Sequence, residues 1–356
     1  MENQSIRSCV RAMGLMPMLV LGVVLSLIVS PASAGVETLS MDAIPMLAQV
    51  VDSGSVQDKS VGDVWNTMKE LEPYTLAVSM LLVIALLFAG GLLRPGGFAK
   101  AGLRDITALP AVVFFFAAFV VLLAQSSGPS LVGNIAWLNE QGYSDFQIRT
   151  IVSTVSYLLA IIAGFGMLFI LRRSATTGDG LDNGFGVGIL DLPVGLGCFL
   201  LAFPFIRILG LLGEFAYTQT QGHAPSGMGH ETLKIFTDNP NDPWVMAFVG
   251  GAIIGAPIVE ELIFRVFLQG ALLKWFKSPW LSIIFTAIIF AAIHRLNTQP
   301  VPWHALPTIF AVGLTCGVAY ERTKRVGVPI MMHMCFNLLN VLIAMMSNAD
   351  AAPVGV

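Results

Sequence analysis

The chain has 356 residues, of which 55% are hydrophobic and only 12% charged. A soluble domain carries about twice that share of charge, so the composition excludes an ordinary soluble protein and points to a polytopic membrane protein. The net charge is −3 and no basic block is available to hold phosphates, so no nucleic-acid partner is expected.

Residues 1–34 read as a secretory signal. Arg7 and Arg11 form a basic start, the apolar run "LMPMLVLGVVLSLIV" follows, and Ala32 and Ala34 fit a small-residue cleavage site with cutting after Ala34. The alternative is an uncleaved anchor helix. Residues 35–73 are polar and acidic and are expected outside the membrane, where "VGDVWNTMKELEP" suits a short amphipathic surface helix. Eight membrane spans are expected next, each near the ~20 residues needed to cross: 74–93, 106–124, 150–171, 192–213, 244–273, 279–295, 304–320 and 328–347. The fifth is over-long, and a tilt or a break is expected near Pro257. The expected fold is therefore all-α, a polytopic membrane helix bundle. Residues 74–243 form a first group of spans with no assigned role, and 244–347 form the core that carries the chemistry.

With the mature N-terminus outside, the inside segments carry ten Lys and Arg, among them Arg104, Arg172, Lys277 and Arg325, against five in the outside segments. That bias follows the positive-inside rule. It agrees with an integral protein of a bacterial inner membrane whose partner is the lipid bilayer. No internal repeat and no inverted pair of interrupted helices is visible, which counts against a transporter using intramembrane acids as a proton relay. Cys9 lies in the leader, and Cys198, Cys316 and Cys335 fall one to a span, a pattern of apolar filler with no disulfide framework.

Ionisable residues inside the spans are costly and are functional candidates by default. Arg207 sits alone in span four, and it either snorkels or meets a carboxylate from another helix. "IVEELIFR" places Glu260, Glu261 and Arg265 in span five. At about 100° per residue, Arg265 is about 40° from Glu261 but about 140° from Glu260. Glu261 and Arg265 then make an i,i+4 ion pair, and Glu260 is left without a local partner, as suits a general base. "FAAIH" puts Phe290 and His294 on one face of span six, and "HMCFN" puts His333 and Asn337 on one face of span eight. If those faces converge, they supply a second base or acid and two hydrogen-bond donors for an oxyanion. That set is sufficient to hydrolyse a peptide bond with activated water. Cys335 points away from His333 and Asn337, which argues against a Cys-His nucleophile. The rival chemistry is a zinc site of Glu260, His294 and His333, although no H-E-x-x-H signature occurs. The loop histidines His223, His230 and His304 are read as surface residues.

One conflict of depth accompanies this reading. On three straight helices with a common rise, Glu260, His294 and His333 would spread over ~20 Å. Tilted, staggered or partly re-entrant helices resolve it, and Pro257, Pro300, Pro302, Pro307 and Pro329 give scope for them.

The order E-E-x-x-x-R, F-x-x-x-H, H-x-x-x-N on successive apolar helices resembles the CPBP family, the CAAX-protease and bacteriocin-processing-like (Abi) intramembrane glutamic endopeptidases. The resemblance covers about residues 245–345. It implies that Glu260 activates water with His294 assisting, that His333 and Asn337 form the oxyanion hole, and that Glu261, Arg265 and Phe290 support them. It implies no cofactor, and a peptide or membrane-protein substrate. Val266 departs from the family, which often has Gly after the motif arginine. The alternative from a different class is a non-enzymatic scaffold or immunity protein of the same fold.

Overall fold

The computed structural model describes residues 61–89, 104, 106, 109–133, 135–174, 183–225, 242–296 and 301–349. The leader at 1–34, most of the polar segment 35–73, Cys9 and His230 lie outside the described residues. The helices are α1 (Val61–Ala89), α2 (Ala111–Ser126), α3 (Gly128–Val132), α4 (Ile135–Glu140), α5 (Asp145–Ser174), α6 (Asp191–Gln221), α7 (Pro243–Phe276), α8 (Pro279–Leu296), α9 (Leu306–Thr323) and α10 (Gly327–Ala349). The short strand β1 (Gly184–Gly186) precedes α6.

The eight expected spans fall on α1, α2, α5, α6, α7, α8, α9 and α10, so the all-α membrane bundle stands. Among the described residues six helices are long and apolar enough to cross a membrane, α2 counted with α3 and α9 with its preceding turn. The apolar stretches Tyr74–Ala89 and Gly327–Ile343 are shorter. Two corrections follow. Residues 61–73 continue directly into α1 and do not form a separate surface helix. Arg207 meets Glu214 of its own helix, Nη1 to Oε1 at 3.0 Å, a carboxylate two turns along α6 where one from another helix is the expectation.

Of the tilt or break expected near Pro257, the break does not occur, and α7 runs on through the proline. The reason is local widening. Gly251–Gly255 and Leu262–Leu268 are π-helical, and the amides of Ala256 and Gln269 bond carbonyls five residues back, at Gly251 and Phe264. A π turn gives a proline ring room that an α turn denies it, since in an α turn the ring meets the carbonyl four residues back. Around the second π segment, Phe114, Ala117 and Val121 of α2 and Ala160, Leu168 and Leu171 of α5 pack against Leu262, Val266 and Phe267. A second apolar cluster joins α6, α9 and α10 through Phe199, Phe203, Val312, Cys316, Val328 and Met332. In water, burial of this kind supplies roughly 25 cal/mol per Å² of apolar surface. Inside a bilayer that driving force is absent, and close van der Waals packing between the helices holds the same contacts together.

The segments before α2, before α6 and between α9 and α10 meet at one end of the bundle. There Arg104 grips Glu321, with Nε donating to both carboxylate oxygens at 3.0 Å and Nη2 to Oε1 at 2.8 Å, while Nη1 reaches the Tyr320 hydroxyl at 3.1 Å. Burial alone would lower the Arg104 pKa, but the facing Glu321 charge and its hydrogen bonds outweigh that and hold it raised. β1 bridges to Arg325, the amide of Val326 donates to Gly186 O at 3.1 Å, and Arg325 is paired with Asp191. Gly184 is at φ +90 with Arg104 Cδ and the Tyr320 hydroxyl 2.7 Å from where a Cβ would sit, so only glycine fits. At the other end Tyr143 meets Trp244 edge-on and Tyr217 packs on Trp303 and His304.

Candidate active site

The depth conflict disappears because the helices are staggered. Gln269 of α7 donates to Glu321 Oε1 at 2.9 Å and to Gly317 O at 3.3 Å. The α9–α10 turn therefore sits level with Gln269, seven residues short of the end of α7, or about 10 Å inside it. His333 is six residues up α10 from that turn and Glu261 eight residues back along α7, so both lie about 9–12 Å above the same level. His294, fifteen residues beyond Pro279, matches Glu260, sixteen residues before Phe276. At the turn Val326 is buried while Lys324 and Arg325 are partly exposed.

Glu261 and Arg265 form the pair that the helix angle predicts, with Arg265 Nε donating to Glu261 Oε2 at 2.8 Å and both side chains fully buried at 0% exposure. Spacing within α7 did not show that Glu261 has a second partner. His333 Nδ1 lies 2.9 Å from Glu261 Oε1. An ionised carboxylate only accepts, so this nitrogen carries the proton and donates. His294 is oriented in the same way, with Nδ1 2.8 Å from the carbonyl of Phe290, which also only accepts. Both imidazoles thus turn Nε2 toward Glu260. The distances to its Oε2 are 4.0 Å from His294 and 3.9 Å from His333. Glu260 is 27% exposed, yet its Oε2 is buried and has no hydrogen-bond partner among the described residues.

Phe290 forms the wall between the two imidazoles. Its ring centroid is 4.6 Å from that of His294 and 5.8 Å from that of His333, both edge-on, and it packs edge-on against Phe264 at 5.0 Å. The Arg265 guanidinium lies 5.6 Å from the same ring. Its two terminal nitrogens lack hydrogen-bond partners among the described residues, so aromatic contact takes the place of a second carboxylate. Asn337 is on this side of α10, but its Nδ2 donates to the carbonyl of Ala252 at 2.9 Å. Val266, where the family often has Gly, is fully buried inside the second π segment.

Gln269, Glu321, Tyr320 and Arg104 continue the buried polar column below Arg265, and sequence reasoning missed all four as a group. Gln269 did carry a signal, since Glu261, Arg265 and Gln269 repeat at i,i+4. Arg104 and Glu321, 217 residues apart, carried none. Among the described residues no group of three His, Cys, Asp or Glu is arranged to hold a metal ion. Tetrahedral zinc would bring its ligand atoms to about 3.3 Å of one another, closer than the separations around Glu260. Cys198, Cys316 and Cys335 form no disulfide among the described residues.

Fold and site define an all-helical membrane protein in which Glu260 Oε2, without a hydrogen-bond partner among the described residues, faces two tethered imidazoles. Residues 242–339 match the family model described as Type II CAAX prenyl endopeptidase Rce1-like. The chain is 30% identical over 143 residues to "Membrane-embedded CAAX protease MroQ" of Staphylococcus aureus (strain USA300), covering 39% of this chain and 53% of that protein. It is 31% identical over 198 residues to "Putative membrane peptidase YdiL" of Bacillus subtilis (strain 168), covering 53% of this chain and 70% of that protein. No solved structure matches the chain. The chain belongs to the Rce1-like CAAX prenyl endopeptidase family.

Proposed function

We propose that the protein is an integral-membrane endopeptidase of the bacterial plasma membrane in which Glu260 activates water. The supporting observation is Glu260 Oε2, buried, unpartnered among the described residues and within 4.0 Å of Nε2 of two histidines from two other helices. A water about 2.8 Å from Oε2 and from a histidine Nε2 subtends about 90° at its oxygen, so one water can touch both groups. Glu260 takes a proton from that water as the hydroxide oxygen bonds to the scissile carbonyl carbon. His333, held by Glu261 at Nδ1 and protonated at Nε2 as well, donates its Nε2 hydrogen to the oxygen on which charge develops. As the C–N bond breaks, the proton passes through Glu260 or His294 to the leaving amine. Water is the co-reactant, and no covalent enzyme intermediate forms.

The substrate class is peptides or membrane-protein segments cut near the bilayer surface. One relative's name refers to CAAX proteins, but an export-like leader at residues 1–34 gives no reason to require prenylated ones. The Lys and Arg bias supports a mature N-terminus outside. The test is cleavage of a mixed library of prenylated and plain peptides by protein purified in lipid nanodiscs, read by mass spectrometry. Glu260→Gln is expected to be inert while still folding. Wild-type-like cleavage by that variant would refute the mechanism.

A further inference from the structure

Pro257 stands inside α7 without an amide hydrogen to give. Just before it, the amide of Ala256 bonds Gly251 O, five residues back. In that π register the next bond would run from the amide of residue 257 to Ala252 O, and proline cannot make it. In an α register the donor to Ala252 O would be Ala256, which is already committed to Gly251. Ala252 O instead accepts from Asn337 Nδ2 on α10, 85 residues away, at 2.9 Å.

We infer that Asn337 substitutes for the missing backbone amide of Pro257, and that its role is to position the first wide turn of α7. Glu260 follows Pro257 by three residues, within the same turn. Closing the π segment to an α register would rotate everything after it by roughly 100° and carry Glu260 away from His294 and His333. Asn337 thus acts through the helix with one Nδ2 hydrogen, and the second stays available to the substrate's oxyanion. The inference rests on Glu260 being the base for its catalytic half, and on hydrogen bonding alone for its structural half.

The experiment is a cycle of Asn337→Ala, Pro257→Ala and the double variant, in nanodiscs. Cleavage kinetics and the thermal midpoint are both read. Asn337→Ala should lower kcat about 10²-fold, the scale of a misplacement of about 1 Å, leave KM within about twofold, and lower the midpoint. In the double variant the new amide at position 257 supplies the lost donor, so at least tenfold of kcat and most of the midpoint should return. A double variant no more active than Asn337→Ala overturns the inference, because the loss would then come from contact with the substrate alone. Should the peptidase reading fail and no variant cleave, the midpoints still decide: Asn337→Ala must destabilise the wild-type chain and must not destabilise the Pro257→Ala variant. Pro257→Ser offers the same amide. If neither Pro257 variant folds while Asn337→Ala does, the inference is likewise overturned.

Discussion

The two adjacent glutamates should respond in opposite ways to the same change. Glu261 is fully buried, accepts from Arg265 at 2.8 Å and from His333 at 2.9 Å, and its replacement by Gln leaves a buried guanidinium without its counter-charge. Breaking a buried pair from one side costs about 3–5 kcal/mol. At about 2 °C per kcal/mol for a large chain, the thermal midpoint should fall by about 6–10 °C. Glu260 makes no hydrogen bond through Oε2 among the described residues, so Glu260→Gln should move stability by no more than about 0.5 kcal/mol. Its cost should appear in kcat, by about 10²–10⁴ or more for a lost general base. The assay heats each variant with a thiol-reactive fluorophore. Cys316 is buried and becomes reactive only when the bundle opens. If Glu261→Gln unfolds at the wild-type temperature, or Glu260→Gln is the less stable of the two, the division of labour between them is wrong.

Three further outcomes are expected. Arg104→Ala strands Glu321 in a fully buried place and should lower the same midpoint by a similar 3–5 kcal/mol equivalent, about 6–10 °C; an unchanged midpoint would mean the Arg104–Glu321 contact is not formed in the bilayer. His294→Ala, near the end of α8 and 27% exposed, should lower kcat about 10²–10⁴-fold with little loss of stability, and a loss under tenfold would remove His294 from proton transfer. Treatment with 1,10-phenanthroline followed by dialysis should leave cleavage unchanged. Loss of activity that added zinc restores would replace the Glu260 water mechanism with a zinc site of Glu260, His294 and His333.

The sequence alone determined what depends on local periodicity. Apolar runs of about 20 residues placed the helices, and the 3.6-residue repeat paired Glu261 with Arg265, set Glu260 apart from them, and aligned Phe290 with His294 and His333 with Asn337. It did not determine depth or partner across helices. The inward offset of the α9–α10 turn is set by contacts between Gln269 and Glu321, Arg104 and Glu321, and Arg325 and Asp191, which join residues far apart in the chain and leave no periodic trace. The same is true of His333 on Glu261, and of Asn337 on Ala252 O. Pro257 announced a disturbed turn in α7. Only the tertiary structure showed that the turn widens without breaking, because a side chain from α10 supplies the hydrogen bond that proline cannot.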